Sequence, residues 1–246
     1  MLSNLLMQLG NHTNAQVEEN MVRHMILNSL RSYKVKFGDE YGEMVIACDN
    51  TNYWRKQLFP YYKANRKKNI EASELNWKSI FECMNKIRAE LKEYFPYRVI
   101  DVESAEADDI IATLVTEFGS ELNTGDKLLI LSGDKDFIQL QKYSHVDQYN
   151  PVMKKSIKCS RSEVKEFINE HVVKGDRSDG IPNYLSDDDT FVTGKRQKPL
   201  SKKTVDLFLE KEPKDICTDQ QLKNYNRNQI LIDFNYIPEE IENRIR

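Results

Sequence analysis

Short apolar runs of strand type, Met44-Val45-Ile46-Ala47-Cys48, Tyr97-Arg98-Val99-Ile100-Asp101-Val102 and Lys127-Leu128-Leu129-Ile130-Leu131, are separated by segments with the period of a helix. This alternation constrains the chain most, because strands spaced by helical crossovers line up side by side in one direction. The spacing predicts a helix over 75–95, where Trp77, Ile80, Phe81, Met84, Ile87, Leu91 and Phe95 recur at three- and four-residue steps. A second is predicted over 105–118, with Ile110, Ile111, Leu114, Val115 and Phe118 on its inner side. The fold class expected is therefore α/β, a mostly parallel central sheet flanked by helices.

Beyond Pro151 the pattern changes. A helix over 162–174 is stopped by Gly175, a polar loop rich in turn residues runs from Asp176 to Pro199, and helices resume over 201–210, 218–232 and from Pro238. The expected organisation is a sheet domain over 1–152 and a smaller helical region over 153–246. Neither an internal repeat nor a low-complexity tract is present.

With 246 residues, 39% apolar and 30% charged, the chain has the composition of a globular protein large enough for one sizeable core or two smaller ones. No run approaches the roughly 20 apolar residues of a membrane span, and the amino terminus lacks the basic segment of a secretory signal. An intracellular protein is expected. Cys48, Cys83, Cys159 and Cys217 are widely spaced and form no CxxC pair, which argues against a zinc site or a redox couple. A net charge of -3 predicts no global attraction to nucleic acid, although averaging hides opposite patches.

Those patches are visible along the chain. Asp49 ends the first strand, Glu106, Asp108 and Asp109 open a helix after the second, Asp134 and Asp136 end the third, and Asp176 and Asp179 follow Gly175. Carboxyl ends of strands in such a sheet converge on one rim, so the acids are expected in one cleft. Two carboxylates about 4 Å apart repel by roughly 4 kcal/mol at an effective dielectric near 20. Hard divalent ions such as Mg²⁺ or Mn²⁺ relieve that repulsion, and two of them suit in-line displacement at phosphorus. Read singly, each motif has a plainer explanation: Asp134-Lys135-Asp136 also suits a turn or a sugar transferase, Glu106-Ala107-Asp108-Asp109 a helix start, and Asp49-Asn50 a strand-end turn.

Residues 54–68, Trp-Arg-Lys-Gln-Leu-Phe-Pro-Tyr-Tyr-Lys-Ala-Asn-Arg-Lys-Lys, mix cations with aromatics directly after Asp49. Cations bind phosphates and aromatic faces stack on unpaired bases, and Tyr62, Lys63 and Arg66 are spaced to address one strand, with Lys67 and Lys68 beyond them. A second basic group, Lys195, Arg196, Lys198, Lys202 and Lys203, leads into a helix whose Ser201 and Thr204 are candidates to donate to phosphate.

Taken in order, Tyr62-Lys63-Ala64-Asn65-Arg66, Glu106-Ala107-Asp108-Asp109, Ser132-Gly133-Asp134-Lys135-Asp136-Phe137 and Lys174-Gly175-Asp176-Arg177-Ser178-Asp179-Gly180-Ile181-Pro182 resemble the flap endonuclease superfamily of 5′ nucleases, and within it the phage RNase H branch. The resemblance implies a PIN-like domain with a helical arch near 53–75 and a helix-turn motif that grips duplex DNA. It implies a Mg²⁺-dependent nuclease, with Mn²⁺ as substitute, that removes RNA primers and adjoining DNA from 5′ ends, flaps and nicks in the cytoplasm of an infected bacterium. Asp49, Glu106, Asp108 and Asp134 would form the first metal site, and Asp136 and Asp179 the second. Lys63 and Arg66 would contact the scissile phosphate. Gly175 and Gly180 would shape the duplex grip, with Lys202, Lys203 and Thr204 continuing it.

Members of this superfamily begin with a strand carrying a further acidic ligand and then the helix that Leu2 to Leu9 matches. That strand is not in the sequence, and the chain stops near Arg246, earlier than the phage relatives, where helices for a single-stranded DNA-binding protein are expected. The resemblance thus leaves two expectations, an active nuclease or a fragment that binds branched DNA without cutting it and awaits a missing amino-terminal segment. A nucleotide-sugar transferase using Asp134 and Asp136 would leave the basic stretch unexplained.

Overall fold

The computed structural model describes residues 19–66, 70, 72–73, 75–121 and 126–246. The helix expected over Leu2 to Leu9 and the candidate contacts Lys67 and Lys68 lie outside these. The described residues fall into two compact units, one within Met1–Cys48 and Lys68–Asp101 and the other within Asp49–Lys67 and Val102–Arg246.

The first unit holds helix α1 (Glu19–Tyr41), strand β1 (Val45–Cys48), helix α3 (Trp77–Tyr94) and strand β2 (Arg98–Asp101). Val22, Ile26 and Leu30 follow one another at four-residue steps on α1, and this stripe packs with Ile46 of β1 and Cys83, Ile87 and Leu91 of α3. Arg23 Nε fastens the two helices by an ion pair to Glu90 at 2.7 Å. β1 and β2 run parallel, Ile46 opposite Val99, as the alternation of strand and helix predicts.

The second unit contains the short helix α2 (Trp54–Leu58), helix α4 (Ala107–Glu121), strand β3 (Leu128–Leu131), a 3-10 turn (Asp136–Lys142), and strands β4 (Val146–Asn150) and β5 (Lys155–Ile157). It continues with helices α5 (Arg161–Lys174), α6 (Lys202–Glu210), α7 (Pro213–Ile216), α8 (Asp219–Ile232) and α9 (Glu239–Ile245). β3 pairs parallel with β4, and β5 returns antiparallel along β4. The described strands thus make two small sheets rather than the single central sheet expected. Ser160 caps α5 in a reciprocal capping box with Glu163, and Thr218 caps α8 the same way with Gln221. Phe59 and Tyr62, from the turn after α2, share a core with Val172 and Val173 of α5, Phe208 of α6 and Leu231 of α8.

Candidate active site

The acids are set at strand ends and helix starts, where free backbone N–H groups hold them. Asp49 follows β1, and its Oδ1 accepts a hydrogen bond from the Ala107 N–H at 2.8 Å, so it sits against the first turn of α4. Glu106 precedes that turn and is only 2% exposed. It accepts from Arg55 at 2.9 Å, the Tyr62 hydroxyl at 3.1 Å and the Lys63 ammonium at 2.5 Å. Asp109, wholly buried, accepts from the Trp54 indole at 3.1 Å and the Glu106 N–H at 2.9 Å, and pairs with Arg55 at 2.7 Å. Asp109 therefore braces the start of α4, while Asp108 has Asp134, Glu106 and Asp49 as charged neighbours. Burial first, then those carboxylates, push the Asp108 carboxyl well above its ordinary range against the pull of Lys63.

Asp134 stands just beyond β3. Its Oδ1 accepts from the Asp136 N–H at 3.1 Å, and Gln148 of β4 reaches under the turn to donate to the carbonyl oxygens of Ser132 at 3.1 Å and Asp134 at 2.6 Å. Asp136 opens the 3-10 turn, and burial pushes its carboxyl up to about 7; His171 draws it down, while Asp134, Asp176 and Asp179 add to the rise. Asp134 is thus a charged neighbour of both Asp108 and Asp136, and it links the two acidic groups.

After α5 the chain turns sharply. Gly175 has φ 68°, and a Cβ there would lie 2.3 Å from the Ile181 carbonyl oxygen, so only glycine fits this close approach. Gly180, with φ 75°, leaves a similar space of 2.9 Å to the Tyr61 carbonyl oxygen. The loop so formed presents Asp176 and Asp179. Asp179 accepts from Tyr62 at 2.9 Å and Arg66 at 2.7 Å, with Lys63 Nζ 3.6 Å away. Asp176 Oδ1 accepts from the N–H and hydroxyl of Ser178, both at 2.7 Å. Burial alone would raise the Asp176 carboxyl, but His171 and Ser178 hold it well below its ordinary value.

The basic stretch differs in part from the sequence expectation. Lys63 adopts a left-handed backbone (φ 56°) that sends its ammonium to Glu106 and Asp179, and burial lowers its affinity for the proton less than Asp179 and Glu106 raise it. Arg66 remains half-exposed beside Asp179. The Tyr62 ring, offered by the sequence reading to unpaired bases, is 4% exposed in the core because its hydroxyl is anchored on the acids. Arg55 too is buried rather than facing solvent. Lys202 and Lys203 are exposed at the start of α6, where Thr204 is engaged with its N-cap Ser201 at 2.7 Å.

All six acids expected to bind metal are therefore gathered in two linked groups. Reading the sequence placed Asp176 among the acids but not among the ligands, and missed His171 altogether. Asp136, His171 and Asp176 offer three ligand atoms within 4.8 Å of one another. Carboxyls driven up by burial, and then by one another, lack positive charge, and a set of hard oxygen donors fits divalent ions.

The chain matches the family model described as 5′-3′ exonuclease, N-terminal resolvase-like domain, over residues 3–170, and that of T4 RNase H, C terminal, over residues 162–246. It is similar to the ribonuclease H of Enterobacteria phage T4, 37% identical over 239 residues that cover 94% of this chain and 77% of that one. It is also similar to flap endonuclease Xni of Shewanella pealeana, 34% identical over 137 residues, 52% of this chain and 49% of the relative. Among solved structures, T5 5′-exonuclease with bound zinc ions aligns with a TM-score of 0.64 at 16% identity over 99% of this chain and 94% of its own. A T5 flap endonuclease complex with DNA and metal ions aligns with a TM-score of 0.63 at 16% identity over 99% and 93%. These last likenesses show a shared fold.

Proposed function

The chain belongs to the 5′-3′ exonuclease family, and on that premise we propose that it is a structure-specific 5′ nuclease of the RNase H type, hydrolysing phosphodiesters at the 5′ ends, flaps and nicks of DNA and RNA–DNA duplexes. The observation that carries this reading is the meeting of Asp108 and Asp136 with Asp134 between them: burial, and then the neighbouring carboxylates, push the carboxyls of Asp108 and Asp136 up, so that the group calls for positive charge. Mg²⁺ is the proposed cofactor, two ions in all, with Mn²⁺ as a substitute. Asp49, Glu106, Asp108 and Asp134 would hold one, and Asp136 and Asp179 the other. Bound there, such ions would supply the positive charge that an in-line displacement at phosphorus needs.

The side chains around the acids position the substrate. Lys63 and Arg66 present an ammonium and a guanidinium at the edge of the cluster and bind the scissile phosphate. Tyr62 orients Glu106 and Asp179 by its hydroxyl, and Arg55 with Asp109 fixes Glu106 on α4. Gly175 and Gly180 let the loop carrying Asp179 approach the Tyr61–Lys63 backbone, where the Lys63 N–H donates to the Asp179 carbonyl oxygen at 2.7 Å. Lys202, Lys203 and Thr204 hold duplex backbone, and Lys67 and Lys68 are proposed as further nucleic-acid contacts. A nuclease domain over 1–152 and a duplex-binding region over 153–246 are proposed; the two family models overlap over residues 162–170. DNA is the proposed partner, in the cytoplasm of the infected host.

Incubation of a 5′-labelled flapped or nicked duplex with the protein and Mg²⁺ tests this. Short labelled products are expected, and Asp134→Ala should slow their release by more than about 100-fold, beyond the range of outer-shell changes. Absence of product from the unaltered chain, or equal rates for the variant, overturns the reading; tight binding of the flap without any cleavage favours the branched-DNA-binding alternative.

A further inference from the structure

The nitrogen donor among the oxygens is the feature that the two-ion reading does not use. His171 lies in the last turn of α5, and its ring is stacked on Phe167, with centroids 5.3 Å apart and planes inclined by 26°. Nε2 is buried and makes no hydrogen bond, yet it lies 3.4 Å from Asp136 Oδ1 on one side and 3.4 Å from Asp176 Oδ2 on the other. The carboxylate of Asp176 is fixed from behind, since Oδ1 is taken up by Ser178 and by the Asp179 N–H at 3.3 Å, which leaves Oδ2 for the imidazole side. The Gly175 turn locks this loop against the end of α5, with the Ile181 N–H donating to the Asp176 carbonyl oxygen at 2.7 Å.

Donor atoms bound to one ion at roughly 2.1 Å are separated by about 3.0 to 3.4 Å, depending on coordination number. Both edges of the Asp136–His171–Asp176 triangle that include nitrogen have that length. We propose that His171 Nε2 is a direct ligand to a divalent ion held with Asp136 and Asp176, and that this nitrogen tilts the second site toward Mn²⁺ and other borderline ions over Mg²⁺. Imidazole favours such ions, whereas Mg²⁺ prefers an all-oxygen shell. The inference rests on the metal-dependent reading above and adds to it a residue that sets ion preference.

Electron spin echo spectroscopy of the Mn²⁺-loaded protein reads the claim directly. A nitrogen coupling from one imidazole is expected; it should change to the ¹⁵N pattern in protein made with ¹⁵N-labelled histidine and vanish in His171→Ala. Calorimetric titrations should show the ratio of Mn²⁺ to Mg²⁺ affinity falling by about tenfold in that variant. The labelled unaltered protein keeps the test decisive even where His171→Ala folds poorly. Mn²⁺ bound without nitrogen coupling, or with coupling that survives His171→Ala, overturns the assignment while flap cleavage continues. Failure of Mn²⁺ to bind, together with absence of cleavage, overturns both this assignment and the nuclease reading.

Discussion

Arg55 shows how one side chain can carry a charge for the interior rather than for a ligand. Its guanidinium is 3% exposed, pairs with Glu106 and Asp109, donates to the Leu231 carbonyl oxygen at 2.9 Å and lies 4.4 Å from the Trp54 ring centroid. Burial pushes the Asp109 carboxyl up, and Arg55 draws it back. Removing the cation would strand two carboxylates away from water, so Arg55→Ala should cost roughly 3–5 kcal/mol. Arg66→Ala, at a half-exposed position, should cost less than about 1 kcal/mol and act mainly on substrate affinity. Urea unfolding of the two variants separates these cases, and equal stabilities would refute the buried role. Reading the sequence placed both arginines in one cationic run, because residue type records charge and not the direction in which a side chain leaves a short helix. The acids were legible because their order along the chain was informative. His171 was not, since a lone histidine near a helix end has no pattern around it.

At the scale of elements, five helices were readable to within a few residues: α3 and α4 fall where apolar spacing predicts them, and α5, α6 and α8 where start and stop signals do. α1 was missed because its buried stripe is narrow, Val22, Ile26 and Leu30 among polar neighbours. Strand β4, with the sequence VDQYN, was missed for a different reason: it buries amides. Gln148 is 1% exposed and takes the Gln141 amide at 3.1 Å on its oxygen while giving its own N–H groups to the turn that carries Asp134. Polarity at such a position reads as loop, yet here it fastens a strand to the turn that carries the proposed ligand Asp134. Gln148→Leu keeps the volume and deletes the hydrogen bonds, leaving the buried Gln141 amide and two part-buried carbonyls without these partners at roughly 1–3 kcal/mol. The loosened turn should also weaken Mn²⁺ binding by about 10–100-fold, as loss of an outer-shell partner does. Chemical unfolding with calorimetric titration checks both effects, and unchanged Mn²⁺ affinity would mean that the turn holds its shape without Gln148.

For the whole molecule, the class of fold was legible because strand and helix periods alternate, whereas the pairing of strands into two small sheets was not, since register and partner choice depend on contacts remote in sequence. The gathering of acids was legible in the same way, as a consequence of topology, and it couples folding to pH. Burial and neighbouring carboxylates raise Asp136 from an ordinary 3.8 to about 7 and lift Asp108 in the same direction. Burial would lower His171, but Asp176 and Asp136 raise it above 6.5. In each case the folded chain holds its proton longer than the unfolded chain, so stability falls as pH rises through the interval between the two values. Asp176, held low, acts oppositely: its contribution is present above 3.8 and is lost as pH falls further. The metal-free protein should therefore lose stability between about pH 4 and 7, the span set by Asp136, and lose more above 6.5 as His171 gives up its proton. Divalent ions compete with protons for the same carboxylates. Mg²⁺ or Mn²⁺ at a fixed concentration should raise the midpoint of thermal unfolding more at pH 8 than at pH 5.5. Equal increments at the two pH values would show that ions and protons do not share these groups, since a site that binds protons must give them up to bind a cation.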